Sequence, residues 1–228
     1  MHAVDILNAL TSPWALVVGF FVLLAASIAA GLVLRRRMEQ TASALATLPA
    51  HMTGFTYSPY PPPGLLSGRF DGRAVEIAVR EVWHDQRDQL CTQVMTFWGT
   101  ALGANLQVVK DFDGSTVEKL FGRTDLECGD PAFDAIFYIM GDDEARIAAF
   151  LDPTVRDGVI AADLAYKGVQ LLDNCVAHDL PGTVTDEPTL RRVLEAQAPL
   201  AALAAQRLEA MSRPRPQTAG KPREIASR

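Results

Sequence analysis

Three cysteines in 228 residues, Cys91, Cys128 and Cys175, are too few and too widely spaced for a disulfide framework or a CxxC-type zinc site. An excess of basic charge is also missing. The net charge is −6, which excludes a dedicated nucleic-acid binder. GxGxxG, GxxxxGK[ST], HExxH and GxSxG are all absent. With them go the signatures of dinucleotide binding, phosphate cradling, zinc proteolysis and a serine nucleophile elbow. No internal repeat is present, and no motif implies a cofactor. At 49% apolar and 21% charged, the chain is neither a disordered polymer nor a multi-span membrane protein.

What it does have is one long uncharged run, PWALVVGFFVLLAASIAAGLVL, from Pro13 to Leu34. As a helix this run spans roughly 33 Å, enough for a hydrocarbon core of about 30 Å. Trp14 sits at one end, where an amphipathic ring prefers the interface, and Arg35, Arg36 and Arg37 follow the other. A cleaved signal peptide needs a basic segment before its apolar run, and only His2 and Asp5 precede this one. The positive-inside rule then places residues 1–12 outside and the remainder in the cytoplasm, making a single-pass membrane protein. Ala26 with Ala30 and Ser27 with Gly31 form small-xxx-small pairs, through which two such helices could form a weak homodimer. The same composition is ordinary in single spans.

After the span, residues 35–64 read as a juxtamembrane segment. Arg35 to Thr47 continues the helix, Pro49 ends it, and YSPYPPPG (Tyr57 to Gly64) is expected as a polyproline II spacer. Residues 65–211 read as one α+β domain. Leu65–Phe70 and Arg73–Val82 flank Asp71-Gly72, a hairpin signature. In the second arm Val75, Ile77 and Val79 alternate with Glu76, Ala78 and Arg80, giving one buried and one wet face. Gln86–Gln89 reads as a turn, Leu90–Trp98 as a third strand and Ala104–Lys110 as a fourth, which together suggest an antiparallel meander. Val117–Phe121 suggests a helical turn and Asp125–Cys128 a short extended piece. Pro131–Met140 is a buried strand, or a short helix leading into one. Helices are expected at Glu144–Leu151, at Pro153–Ala162 after an Asp152 cap, and at Asp186–Met211, the last kinked or broken by Pro199. Gly168–Leu172 and Cys175–Leu180 flank Asp173-Asn174, a second hairpin signal. Residues 212–228 read as a disordered basic tail. Six basic and two acidic residues follow Gln206, so the acidity lies between basic terminal segments. Such a tail is drawn to anionic headgroups or simply keeps the chain soluble.

Few residues suggest chemistry. Gly141-Asp142-Asp143 invites comparison with the metal-binding aspartates of polymerase palms, but reads better as a strand-to-helix turn with an aspartate cap. Asp130 and Asp134, four apart, could share a helix face as a carboxylate pair; an acid/base dyad would need burial to split their pKa values. His51, His84 and His178 are scattered, and in His84-Asp85 and His178-Asp179 the neighbours point apart. The cysteines read as core residues, with a histidine-activated thiol as the rival.

The stretch GDPAFDAIFYIMGDDEARIAAFLDPTVRDGVI, residues 129–160, resembles one in bacterial membrane-anchored proteins of unknown function. In those, a GDPxFD turn precedes GDD and then LDPxVR. Here the matching residues are Gly129, Asp130, Pro131, Phe133 and Asp134, then Gly141 to Asp143, then Leu151, Asp152, Pro153, Val155 and Arg156. The resemblance implies a compact α+β domain tethered to the inner membrane and brings no activity or cofactor with it. The sequence thus favours a membrane-tethered binding or scaffolding module, docking an unidentified protein, with no catalytic, cofactor or metal residues. The alternative is a membrane-anchored metal-dependent hydrolase built on the aspartates near residues 130–143.

Overall fold

The computed structural model describes residues 13–84, 87–110 and 125–213. It falls into two compact units, residues up to Leu66 and residues from Ser67 onward.

The first unit opens with α1 (Pro13–Thr47), a single helix of 35 residues, followed by a 3-10 turn at Leu48–Ala50 and the short strand β1 (Thr56–Ser58). Trp14 and every large apolar side chain described from Val17 to Leu34 are exposed, with Phe20 and Phe21 at about 60%. A helix facing water does not carry apolar residues on all its sides. This one is long and apolar enough to cross a membrane, its most apolar 18-residue stretch having a mean hydropathy of 2.7. No backbone break marks the end of the apolar run. The helix continues through Arg35, which pairs with Glu39 at 2.8 Å, and from Thr41 onward one face is buried through Leu45 and Leu48. Pro49 lies in the 3-10 turn that closes it. The proline-rich stretch departs from polyproline II, a conformation without internal hydrogen bonds. Here Gly64 N–H donates to the Pro61 carbonyl at 2.8 Å and the Tyr57 hydroxyl donates to the Pro63 carbonyl at 3.1 Å, so the chain turns back. The Tyr60-Pro61 and Pro62-Pro63 bonds are cis.

The second unit is α+β. Its elements are β2 (Leu65–Phe70, shared with the end of the first unit), β3 (Arg73–His84), β4 (Arg87–Phe97), β5 (Gln107–Lys110), α2 (Pro131–Asp134), β6 (Phe137–Met140), α3 (Glu144–Phe150), α4 (Pro153–Ala165), β7 (Val169–Leu172), β8 (Cys175–Pro181) and α5 (Glu187–Ser212). Within this unit the strand order is β2-β3-β4-β8-β7-β5-β6, and the ladders from β3 to β6 are antiparallel. Asp71 (φ 48°) and Gly72 (φ 76°) make the two-residue turn with positive φ that joins β2 to β3. Strand β4 starts at Arg87, so residues 87–89 of the expected turn are strand, and Gln86 lies outside the described residues.

The meander is corrected. β5 does not lie beside β4: the β7–β8 hairpin, which comes 60 residues later, is inserted between them. Asp125–Cys128 forms no strand. Leu126 N–H nevertheless donates to the Ile139 carbonyl at 2.9 Å, and Asp125 accepts from Ile139 N–H at 3.0 Å, so this piece flanks β6. Pro131–Met140 takes the second expected form, a short helix leading into a strand. Helix α4 runs three residues past Ala162, and α5 accommodates Pro199 without a break. The turn expected at Val117–Phe121 and the tail beyond Arg213 lie outside the described residues.

Strand alternation sorts the sheet into two faces. Val75, Ile77 and Val79 stand opposite Thr96, Val94 and Thr92, and Val94 stands opposite His178; this face is buried. On the other face Arg80 is exposed, but Ala78 is also buried. Met95, Cys175 and Ala177 form a small apolar patch there. Helix α5 packs on β4 and β8, and α3 and α4 pack on α5. The main core lies between helices and sheet, around Phe133, Phe137, Phe150, Leu106, Leu171 and Leu200.

Candidate functional site

Asp143 is the N-cap of α3 and accepts from Arg146 N–H at 3.0 Å. Asp142 accepts from the side-chain amide of Asn105, and its own N–H donates to the Ala104 carbonyl at 2.8 Å. Gly141 is needed for close approach: a Cβ there would lie 2.8 Å from the Ala104 carbonyl oxygen and against Ile147. The GDD is therefore a strand-to-helix corner. Asp130 caps α2, accepting from Ala132 and Phe133 N–H at 3.1 and 3.3 Å, while Asp152 and Asp186 cap α4 and α5.

Asp134 does not face Asp130 as a dyad. Its Oδ1 accepts from Cys128 N–H at 3.1 Å and from the Cys128 thiol at 2.9 Å. Arg156 closes this cluster, donating to the Cys128 carbonyl at 3.4 Å and lying 3.7 Å from Asp130 Oδ2. Burial, and then the hydrogen bond to Asp134, raise the Cys128 thiol above its ordinary pKa. Such a thiol is protonated at neutral pH and a poor nucleophile. Burial likewise lifts Cys91 and Cys175 to about 11. The sequence-level candidates are thus brought together only as one capping cluster, Cys128–Asp130–Asp134–Arg156, and a separate corner at residues 141–143.

No family model matches the chain, and no curated protein matches it. Among solved structures, it is similar to the crystal structure of the mycobacterial trehalose monomycolate transport factor A, TtfA, at 14% identity and a TM-score of 0.38. The match covers 80% of this chain and 97% of that one, and a likeness this loose carries no argument about function.

Sequence reasoning missed the polar groups that are buried most deeply. His178, Gln197, Thr92 and Thr96 are fully buried. Gln197 Nε2 donates to the Val94 carbonyl at 2.9 Å and lies 2.9 Å from His178 Nδ1; its Oε1 accepts from the Thr96 hydroxyl at 2.6 Å. His178 Nε2 lies 3.0 Å from the Tyr166 carbonyl. Desolvation lowers the His178 pKa. The alternation Val176, His178, Leu180 along β8 was the available signal, since it puts the imidazole on the buried face. Asp179 points the other way and accepts from Gln93 and Gln170 at 3.0 and 2.7 Å. His51 is exposed, and the His84 side chain lies outside the described ones.

Two further carboxylates are structural. Asp163 pairs with Lys110 at 2.5 Å and accepts from Gly168 N–H at 2.9 Å; burial would raise its pKa, but these partners outweigh it and hold it low. Asp173, in the β7–β8 turn, accepts from Gly103, Ala104 and Leu106 N–H at 2.9, 2.9 and 3.1 Å, pinning the loop that follows β4. These donors lower its pKa against the opposing pull of burial.

Proposed function

We infer that the chain is a single-pass protein of the bacterial inner (plasma) membrane, with residues 1–12 outside and the α+β unit in the cytoplasm. That unit is a binding or scaffolding module, not a catalyst. Its partners are the bilayer around residues 13–34, a second copy through weak contacts at Ala26/Ala30 and Ser27/Gly31, and a cytoplasmic protein. The observation that carries the membrane part is the exposed apolar length of α1, closed by Arg35, Arg36 and Arg37. The non-catalytic part is supported by the aspartates of residues 130–143, each occupied with a backbone N–H, a thiol or an amide. The resemblance of residues 129–160 to bacterial membrane-anchored proteins belongs to the same reading.

Reporter fusions test it. Alkaline phosphatase fused to the C-terminus is expected to be inactive and a fluorescent protein there to glow, with the chain resisting carbonate extraction. Active phosphatase overturns the orientation, and release by carbonate overturns the span. Replacing Arg35 to Arg37 by alanine should yield a mixed population, because these arginines are the strongest charge cue beside the span.

A further inference from the structure

Two backbone carbonyls decide where the proton of His178 sits. The Val94 carbonyl can only accept, so the Gln197 atom 2.9 Å from it is the amide nitrogen. Gln197 Oε1 then faces the Thr96 hydroxyl, which donates to it. The second Nε2–H of Gln197 points at His178 Nδ1, which must be the unprotonated acceptor. On the far side of the ring the Tyr166 carbonyl also only accepts, so His178 Nε2 carries the hydrogen. The neutral Nε2–H tautomer satisfies all these contacts. A proton on Nδ1 would set N–H against N–H. Turning the amide over would relieve that clash only by placing Oε1 against the Val94 carbonyl.

The charged surroundings offer little rescue. From α4, Asp163 acts on the ring as a negative charge, but it is engaged by Lys110 from β5 and by Gly168 N–H. Asp179 lies on the opposite face of β8, held by Gln93 and Gln170. The Tyr166 ring meets the imidazole edge-on at 5.7 Å. From β4 and α5 the groups bonded into this network, Val94, Thr96 and Gln197, are neutral, and β7 sets Val169 opposite His178. Burial outweighs the Tyr166 carbonyl and the two carboxylates, and the His178 pKa lies below its ordinary 6.5. Pro199 stands two residues beyond Gln197 and has no N–H for the Glu195 carbonyl, so α5 lacks a helix bond beside the network.

We propose that His178 is an acid-sensitive latch: neutral, it holds the first half of α5 on β4 and β8, and its protonation releases that half, residues 187–198. Deprotonation reseats the helix without any covalent change.

Hydrogen exchange read by mass spectrometry on the full chain in detergent micelles tests the latch, at pH 7.5 and pH 5.2, with exchange times scaled for the intrinsic rate. Peptides within residues 187–198 should lose protection tenfold or more at the lower pH, while the β3–β4 ladder keeps its own. In His178→Gln the side chain presents an acceptor oxygen and a donor nitrogen in the same sense but does not titrate, so α5 protection should be equal at the two pH values. Unchanged protection in the natural chain, or the same acid loss in His178→Gln, overturns the proposal. Should that variant fail to fold, nitrogen-15 spectra of histidine-labelled natural chain decide. They should show the Nε2–H tautomer at pH 7.5 and a His178 midpoint coincident with the opening of α5. An Nδ1–H tautomer, or midpoints that differ, overturns it.

Discussion

Gly141 shows how one residue can look catalytic for packing reasons. Any side chain there would press the Ala104 carbonyl oxygen, which backbone geometry holds in place. Gly141→Ala is therefore expected to cost about 1–3 kcal/mol, the usual range for overpacking, read as a lower melting temperature of the full chain in detergent. The next two residues separate a cap from a metal site. Asp143→Ala should cost about 0.5–2 kcal/mol and Asp143→Asn much less, since asparagine also caps. A metal held at Asp142 and Asp143 would add about 2.7 kcal/mol at a hundredfold excess over its Kd. Equal melting temperatures in manganese and in EDTA are expected; a rise of several degrees with manganese that Asp142→Asn abolishes would restore the hydrolase alternative. Asp173 has the larger structural role. Asp173→Asn replaces one acceptor with an NH2 group facing a loop N–H, and about 1–3 kcal/mol should be lost.

Elements were legible wherever their determinants are local. The Asp71-Gly72 turn, the aspartate caps of α3 and α4, and the alternation of β3 all act within a few residues, and each forms where its pattern lies. Sheet order was not legible, because nothing near β5 records that a hairpin 60 residues later separates it from β4. The buried network was hidden for the same reason: Thr96 and Gln197 meet across 101 positions of sequence. Pro199 is a case where tertiary packing overrides a local signal. An interior proline costs a helix about 3 kcal/mol, yet α5 continues through it with Gln197, Ala198, Leu200 and Ala201 buried around it. Pro199 itself is exposed, so Pro199→Ala restores a helix bond without disturbing packing. The unfolded chain gains at most about 1 kcal/mol of entropy from that change. Stabilisation should win, and a raised melting temperature checks it.

At the scale of the whole molecule, the groups with displaced pKa values fix how stability varies with pH. Asp163, Asp173 and Asp186 are held below their ordinary value in the folded state, Asp186 chiefly by its hydrogen bond with Thr189. Their contribution is complete above the unfolded pKa of about 3.9 and is lost as pH falls through the folded values. His178 acts higher on the scale. Its folded pKa is depressed, so the unfolded chain takes up its proton first, and stability declines as pH drops below about 6.5. The alkaline side belongs to the thiols. Cys91 and Cys175 ionise near 11 when folded but near 8.5 when unfolded, so stability falls as pH rises through that interval. The melting temperature of the full chain should therefore be flat between about pH 6.5 and 8.5 and should fall on both sides. Replacing Cys91 and Cys175 with alanine should flatten the alkaline limb and leave the acid limb in place. An alkaline limb that survives the double substitution would mean that other groups control it, Cys128 among them, since its thiol is also raised.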